Sequence, residues 1–225
     1  MLALEGGRGC NITAPFKNAA WQLASHDSDS ARRAQAANTL VFDNDESWFA
    51  DSTDGMGLLQ DLQDGASVEL AGASICLLGA GGAAAGVLGA LLNADPDKVV
   101  VANRSLEKAQ QLELAHRDLG EVVACKPAEL SSEAPFDLFI NATSLGHSGH
   151  APVLDPSWLN PEALCYDMNY GEAAEPLRRK CEEQRICYRD GLGMLVQQAA
   201  LSFELWTGKM PDVAEVLEHL RDSAG

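Results

Sequence analysis

Apolar residues in this chain fall into short unbroken runs, and between the runs they recur at helical spacing. Ser74-Ile-Cys-Leu-Leu78 and Lys98-Val-Val-Val-Ala102 are two such runs, with Val87, Leu88, Leu91 and Leu92 spaced helically between them. That pattern predicts strand, helix, strand over 74–102. The runs Glu121-Val-Val-Ala-Cys125, Asp137-Leu-Phe-Ile-Asn141, Leu164-Cys-Tyr-Asp-Met168 and Ile186-Cys-Tyr188 predict four further strands. Leu106, Ala109, Leu112, Ala115 and Leu119 predict a helix behind a Ser105 cap, and 175–184 predicts another. The alternation predicts an α/β fold.

The first fifty residues are less regular. Residues 1–9 read as the end of a helix and its glycine stop, and Cys10-Asn-Ile-Thr13 as a short strand. Pro15 suits the first turn of a helix that runs to residue 24, which puts Lys17 in that turn, against the positive end of the helix dipole. That placement is worth about 0.3–1 kcal/mol, too little by itself to make Lys17 a proton donor near neutral pH. After a polar Ser/Asp stretch the pattern predicts a helix at 30–36, a strand at 38–42, a hairpin-like turn at 43–46, a return strand at 48–51 and a helix at 58–62. Asp54 stands where strand gives way to helix, and a helix cap is the plain structural account of it.

Beyond the break at Asp190-Gly191 a long helix is predicted over 194–207, and an amphipathic one over 213–220. Leu195, Ala199, Phe203 and Trp206 form one face of the first, and Met194, Leu201 and Leu205 another. Gln198 sits among these positions, where an unpaired amide costs roughly 1–3 kcal/mol, so it needs a partner in the protein or in a ligand.

Composition narrows the class. With 46% hydrophobic and 22% charged residues the chain has globular composition, and its net charge of −17 argues against nucleic acid or an anionic membrane as partner. No apolar run approaches the roughly 20 residues of a membrane span, and no export leader is evident, so a cytoplasmic location is expected. The six cysteines are scattered without a C-x-x-C pair, which fits a reducing compartment and no structural metal.

The candidate chemistry lies first in Gly79-Ala-Gly-Gly-Ala-Ala84, a glycine turn between a strand and a helix, as in a dinucleotide-binding βαβ unit. Gly79 permits the tight turn, Gly81 lets a pyrophosphate approach the backbone, and small Ala84 lets helix and strand pack closely. At the tip of the second strand an NAD binder usually carries an acid for the ribose 2′-hydroxyl. Here Asn103 and Arg104 stand there, with Lys108 one turn on, so a 2′-phosphate and hence NADP is the better match.

Taken together, eight blocks in one order resemble the shikimate dehydrogenase family. They are Asn11-Ile-Thr-Ala-Pro-Phe-Lys17, Ala37-Asn-Thr39, Thr53-Asp-Gly55, the glycine turn, Asn103-Arg-Ser105, Asn141-Ala-Thr-Ser144, Tyr166-Asp-Met-Asn-Tyr170 and Asp190-Gly-Leu-Gly-Met-Leu-Val-Gln-Gln198. The resemblance implies NADPH-dependent reduction of 3-dehydroshikimate to shikimate, a step of aromatic amino-acid biosynthesis. It implies Lys17 and Asp54 as the catalytic pair, and Thr13, Asn38, Asp54, Tyr170 and Gln198 as substrate contacts. Gly79, Ala80, Gly81, Gly82, Ala83, Asn103, Arg104, Ser105, Lys108, Met168 and Gly191 match its cofactor positions. It further implies a Rossmann-type NADP-binding domain at 58–190 and an α/β catalytic domain from 1–57 and 191–225, with a homodimer as one open assembly.

The chain departs from the family at Ser52, where Asn is usual, and at its start. The family ordinarily has a preceding βαβ stretch with a Ser-x-Ser pair that grips the substrate carboxylate. The resemblance therefore implies an N-terminally truncated catalytic domain. A quinate/shikimate dehydrogenase using NAD and a non-catalytic NADP-binding relic stay open as alternatives.

Overall fold

The computed structural model describes residues 6–42 and 47–224. Of the helix end and glycine stop read at residues 1–9, Gly6 has a positive φ of 79° and Gly9 begins a strand, whereas residues 1–5, like the turn at 43–46, lie outside the described residues. Among those residues, four strands form one sheet and six form another.

The smaller sheet has β1 (Gly9–Asn11), β2 (His26–Asp27), β3 (Thr39–Phe42) and β4 (Trp48–Asp51), in the order β1-β3-β4-β2. Helices α1 (Lys17–Leu23) and α2 (Asp29–Ala34) accompany it. Strand β2, within the polar Ser/Asp stretch, is too short and too polar for a periodicity to reveal. Pro15 lies ahead of α1 rather than in its first turn, and Lys17 is the first helical residue.

Helix α3 (Asp54–Gln60) leads out of this sheet and continues as a wider turn to Gly65. The larger, fully parallel sheet follows, with β5 (Ser74–Leu78), α4 (Gly82–Asn93), β6 (Lys98–Ala102), α5 (Leu106–His116) and β7 (Val122–Cys125). Then come α6 (Leu130–Glu133), β8 (Phe136–Asn141), β9 (Leu159–Asp167), α7 (Glu175–Gln184) and β10 (Cys187–Asp190). Its order is β10-β9-β8-β5-β6-β7, with the chain reversing direction across the sheet between β5 and β8. Strands β5 and β6 have the predicted bounds because both faces are covered, as a run such as Val99, Val100 and Val101 demands. Strand β9 begins five residues before its apolar run, on Leu159 and Asn160, which periodicity alone does not mark as strand.

Helices α8 (Leu192–Thr207) and α9 (Val213–Ala224) close the chain. The packed face of α8 differs from the expected one: Met194, Val196, Ala200 and Ser202 are buried, whereas Phe203 and Leu205 are 44% and 43% exposed. The reason is that α8 lies against α3, where Gly57 lets the backbone of Gln198 approach closely, so the face turned to α3 is the one buried. One buried ion pair ties α3 to the large sheet. Asp61, 2% exposed, accepts two bonds from Arg189 of β10, at 2.5 and 2.9 Å, and one from the Tyr166 hydroxyl of β9 at 2.7 Å.

Candidate active site

Asp54 opens α3, but its carboxylate does not cap the helix. Thr53 occupies the cap position without a side-chain cap bond, and Asp54 instead accepts from two side chains of the smaller sheet's region. Lys17 Nζ donates to Oδ2 at 2.6 Å, and Asn38 Nδ2 donates to Oδ1 at 2.9 Å. Capping needs only a nearby backbone N–H; here the charged partner is the stronger claim on the carboxylate. Lys17, 24% exposed, keeps access to solvent while Asp54 at 9% is enclosed. The acid also offsets the poor fit of an ammonium at the start of α1.

Asn38 is the hub of a wider network. Buried between β3 and α3, it donates to Thr53 Oγ1, Asp54 Oδ1 and Gln198 Oε1, each at 2.9 Å, and its own oxygen accepts from the Thr53 N–H at 2.9 Å. Gln198 thus finds its partner within the protein: Oε1 on Asn38, and Nε2 donating to the Leu195 carbonyl at 2.8 Å. Ser202, fully buried, extends the network with its hydroxyl 2.6 Å from Thr39 Oγ1 and 3.0 Å from Asn11 Nδ2. Thr53 and Ser202 were missed in the sequence. The available signal was Ser202 falling one helical turn after Gln198, on the same side of α8.

Facing Lys17 across a cleft of about 870 Å³ is the glycine turn. Thr13, Lys17, Arg33 and Gln35 are on one wall, and Ala80, Gly81, Gly82, Ala83 and Lys108 on the other. Gly79 has φ +115°, which only glycine tolerates, and a Cβ there would meet the Ala142 carbonyl at 3.1 Å. A Cβ on Gly81 or Gly82 would meet nothing within 4 Å, so the backbone at the head of α4 is bare toward the cleft. Bare N–H groups at a helix start fit a pyrophosphate. Ala84 is fully buried against β5, as a small residue at the third position of the fingerprint should be.

At the tip of β6, Arg104 is exposed and takes no partner among the described residues, and Asn103 Nδ2 holds the Ser105 carbonyl at 2.9 Å. Ser105 stands at the cap position of α5, yet its hydroxyl bonds no backbone N–H; it donates to Glu107 at 2.7 Å. That bond holds the Glu107 carboxyl below its usual range, so a carboxylate does sit beside this tip. Against that one carboxylate stand Arg104 and Lys108, and Lys126 is also close enough to act on Glu107.

Met168, Tyr170 and Gly191 lie where β9 and β10 end and are not among the residues that line that cleft. A Cβ on Gly191 would fall 2.5 Å from the Met168 carbonyl, so glycine is required for this close approach. Tyr170 is 48% exposed and its hydroxyl has no partner among the described residues. Beneath these loops lies Asp167, 1% exposed. Its Oδ1 accepts from Asn141 Nδ2 at 2.9 Å and from the backbone and side chain of Asn169 at 3.0 and 2.7 Å, while Oδ2 is buried without a partner. Burial pushes this carboxyl up to about 6.

Residues 61–154 match the family described as Shikimate / quinate 5-dehydrogenase. Residues 1–40 match the Shikimate dehydrogenase substrate binding domain, and 191–221 the Shikimate 5'-dehydrogenase C-terminal domain. Shikimate dehydrogenase (NADP(+)) of Acidovorax ebreus is 49% identical over 222 residues, covering 97% of this chain and 78% of that protein. Among solved structures, an Ael1 enzyme from Pseudomonas putida superposes with a TM-score of 0.88 at 38% identity, covering 97% of this chain and 80% of that one. Shikimate 5-dehydrogenase of Thermus thermophilus, in complex with NADP(H) and shikimate, gives 0.78 at 30% identity, covering 96% and 79%.

Proposed function

The chain belongs to the shikimate dehydrogenase family, and on that premise we propose that it reduces 3-dehydroshikimate to shikimate with NADPH. The observation that carries this reading is the Lys17–Asp54 ion pair at 2.6 Å, whose lysine lines the cleft wall opposite the bare glycine turn. The cofactor, when bound, supplies hydride to the keto carbon. Gly81, Gly82 and the first N–H groups of α4 hold its phosphates, with Arg104 and Lys108 at the 2′-phosphate. Ser105, its hydroxyl engaged by Glu107, serves that tip through the backbone. Met168 and Gly191 border the nicotinamide side.

Reduction leaves negative charge on the former carbonyl oxygen. Lys17 Nζ stabilises that charge and gives up a proton to the oxygen, and Asp54 keeps the ammonium aimed into the cleft. Asp54 also accepts from a ring hydroxyl. Gln198 Nε2 has a second hydrogen beyond the one given to Leu195, and the hydroxyls of Thr13 and Tyr170 bond none of the described residues, so these three offer the polar contacts a polyol ring needs. Asn38 acts by holding Asp54 and Gln198 in register, since its amide is already engaged by protein acceptors.

The two sheets support a division into a substrate-binding part, 1–57 with 191–225, and a cofactor-binding part, 58–190. The test is a steady-state assay of NADPH oxidation with 3-dehydroshikimate, with NADH and with a quinate-derived ketone run beside it. Equal rates with NADH would remove the cofactor assignment. Absence of turnover, with NADPH binding intact, would favour the non-catalytic alternative.

A further inference from the structure

We propose that Arg33 is a further cofactor-binding residue, a phosphate-facing cation supplied from the wall opposite the glycine turn. This rests on the reading of the cleft as an NADPH site. Three observations carry it.

The first is charge. The cleft lining holds three cations, Lys17, Arg33 and Lys108, of which Lys17 is paired with Asp54 and Arg33 with Asp118, two carboxylates that stand outside the lining. In a chain with 33 acidic and 16 basic residues, a surface chosen at random would carry about two acids for each base. The ionisable side chains that line the groove are nonetheless all cationic, and that lining is complementary to a polyanion such as a dinucleotide with a 2′-phosphate. Arg104 and Lys108 account for one end; Arg33 faces the same space from α2.

The second is how Arg33 is held. Its Nη1 and Nη2 donate to Asp118 Oδ1 and Oδ2 at 2.9 and 2.8 Å, a two-pronged pair linking α2 to the segment just past α5. The pair joins the two sides of the cleft, 85 residues apart in sequence. With side chains 35% and 58% exposed it adds little to stability. What it does fix is the plane of the guanidinium, a group that recognises phosphate by geometry as well as charge.

The third is spare donor capacity. No described residue accepts from Arg33 Nε, so the clasp with Asp118 leaves an N–H free. A bound phosphate would gain an oriented donor and would bring the two walls together through one side chain.

The test uses the full chain and fluorescence titration with NADPH and NADH at several salt concentrations, for the parent, Arg33→Gln, Arg33→Lys and Asp118→Asn. Arg33→Gln should weaken NADPH at least about fivefold, a discounted value for a charge-assisted contact that solvent reaches, and should flatten its salt dependence. Arg33→Lys should recover part of the loss, and Asp118→Asn, which keeps the cation, should cost less than Arg33→Gln. Melting temperatures should stay together, in line with the exposure of the pair. A loss confined to NADPH assigns Arg33 to the 2′-phosphate, and an equal loss with NADH assigns it to the diphosphate. Binding of both cofactors by Arg33→Gln within twofold of the parent, at an unchanged salt slope, overturns the proposal. A parent chain that does not bind NADPH would instead overturn the reading of the cleft on which it rests.

Discussion

No side chain separates α3 from α8 at Gly57 and Gln198: a Cβ on residue 57 would fall 2.8 Å from both the backbone nitrogen and the Cβ of Gln198. The same helix meets α4 through Gly55, where a Cβ would lie 2.7 Å from that of Ala90. Helix α3 therefore carries Asp54 at its head between two neighbours that it touches at backbone distance. Gly57→Ala should gain about 1 kcal/mol in helix propensity and lose about 1–3 kcal/mol to overpacking. Because the clash is with backbone, the upper end applies, and we expect net destabilisation of about 1–2 kcal/mol with a rise in substrate KM as Gln198 shifts. Urea unfolding at constant slope checks it; an unchanged or higher midpoint would show that α8 yields freely.

Lys17→Ala should lower turnover at least about a hundredfold, the lower range for loss of a general acid. It leaves Asp54 with Asn38 as its only side-chain donor among the described residues. NADPH affinity should stay within about threefold. Turnover within threefold of the parent would take Lys17 out of the chemistry.

Arg104→Asp should reverse cofactor preference. A second carboxylate beside Glu107, in place of the cation, should weaken NADPH by about 1.5–3 kcal/mol and NADH far less. Parallel losses for the two cofactors, measured by titration, would mean that the 2′-phosphate is not read at this tip.

The fourth expectation concerns pH and Asp167. Its carboxyl ionises near 3.8 in an unfolded chain and near 6 in the fold, because burial, with no partner for Oδ2, disfavours the charge. Asp190, its neighbour across the β9–β10 register, disfavours it further. Between those values the folded state holds a proton that the unfolded state has released, so stability falls as pH rises. The contribution is fully present below about 3.8 and is lost as pH passes through about 6, a difference of roughly 3 kcal/mol. Asp167→Asn cannot titrate. Its stability relative to the parent should therefore climb between about pH 4 and pH 7, followed by chemical denaturation at each pH. Two curves that run parallel across that window would show that Asp167 keeps its charge when buried.

Strands β5 and β6, the glycine turn between them and the helix over 175–184 could be read from the sequence, because local rules decide them. A run of β-branched and apolar residues has one environment that suits it, and a positive φ at position 79 has one residue that suits it. The resemblance also put Lys17 and Asp54 together, and the fold sets them 2.6 Å apart.

Other features depended on which surfaces meet in three dimensions. Asp54 has two satisfactory uses locally, cap or ion pair, and only the approach of α1 decides between them. Gln198 needed a partner, and only the packing of α8 on α3 supplies Asn38. The outward turn of Phe203 and Leu205 has the same origin: periodicity marks which positions of α8 share a face, but the close approach of α3 at Gly57 selects the face that is buried. The Asp61–Arg189–Tyr166 cluster and the Arg33–Asp118 clasp join residues 85 to 128 positions apart. No local energy term links such positions in the extended chain. The fold brings them together, and their interaction energy exists only once it has done so.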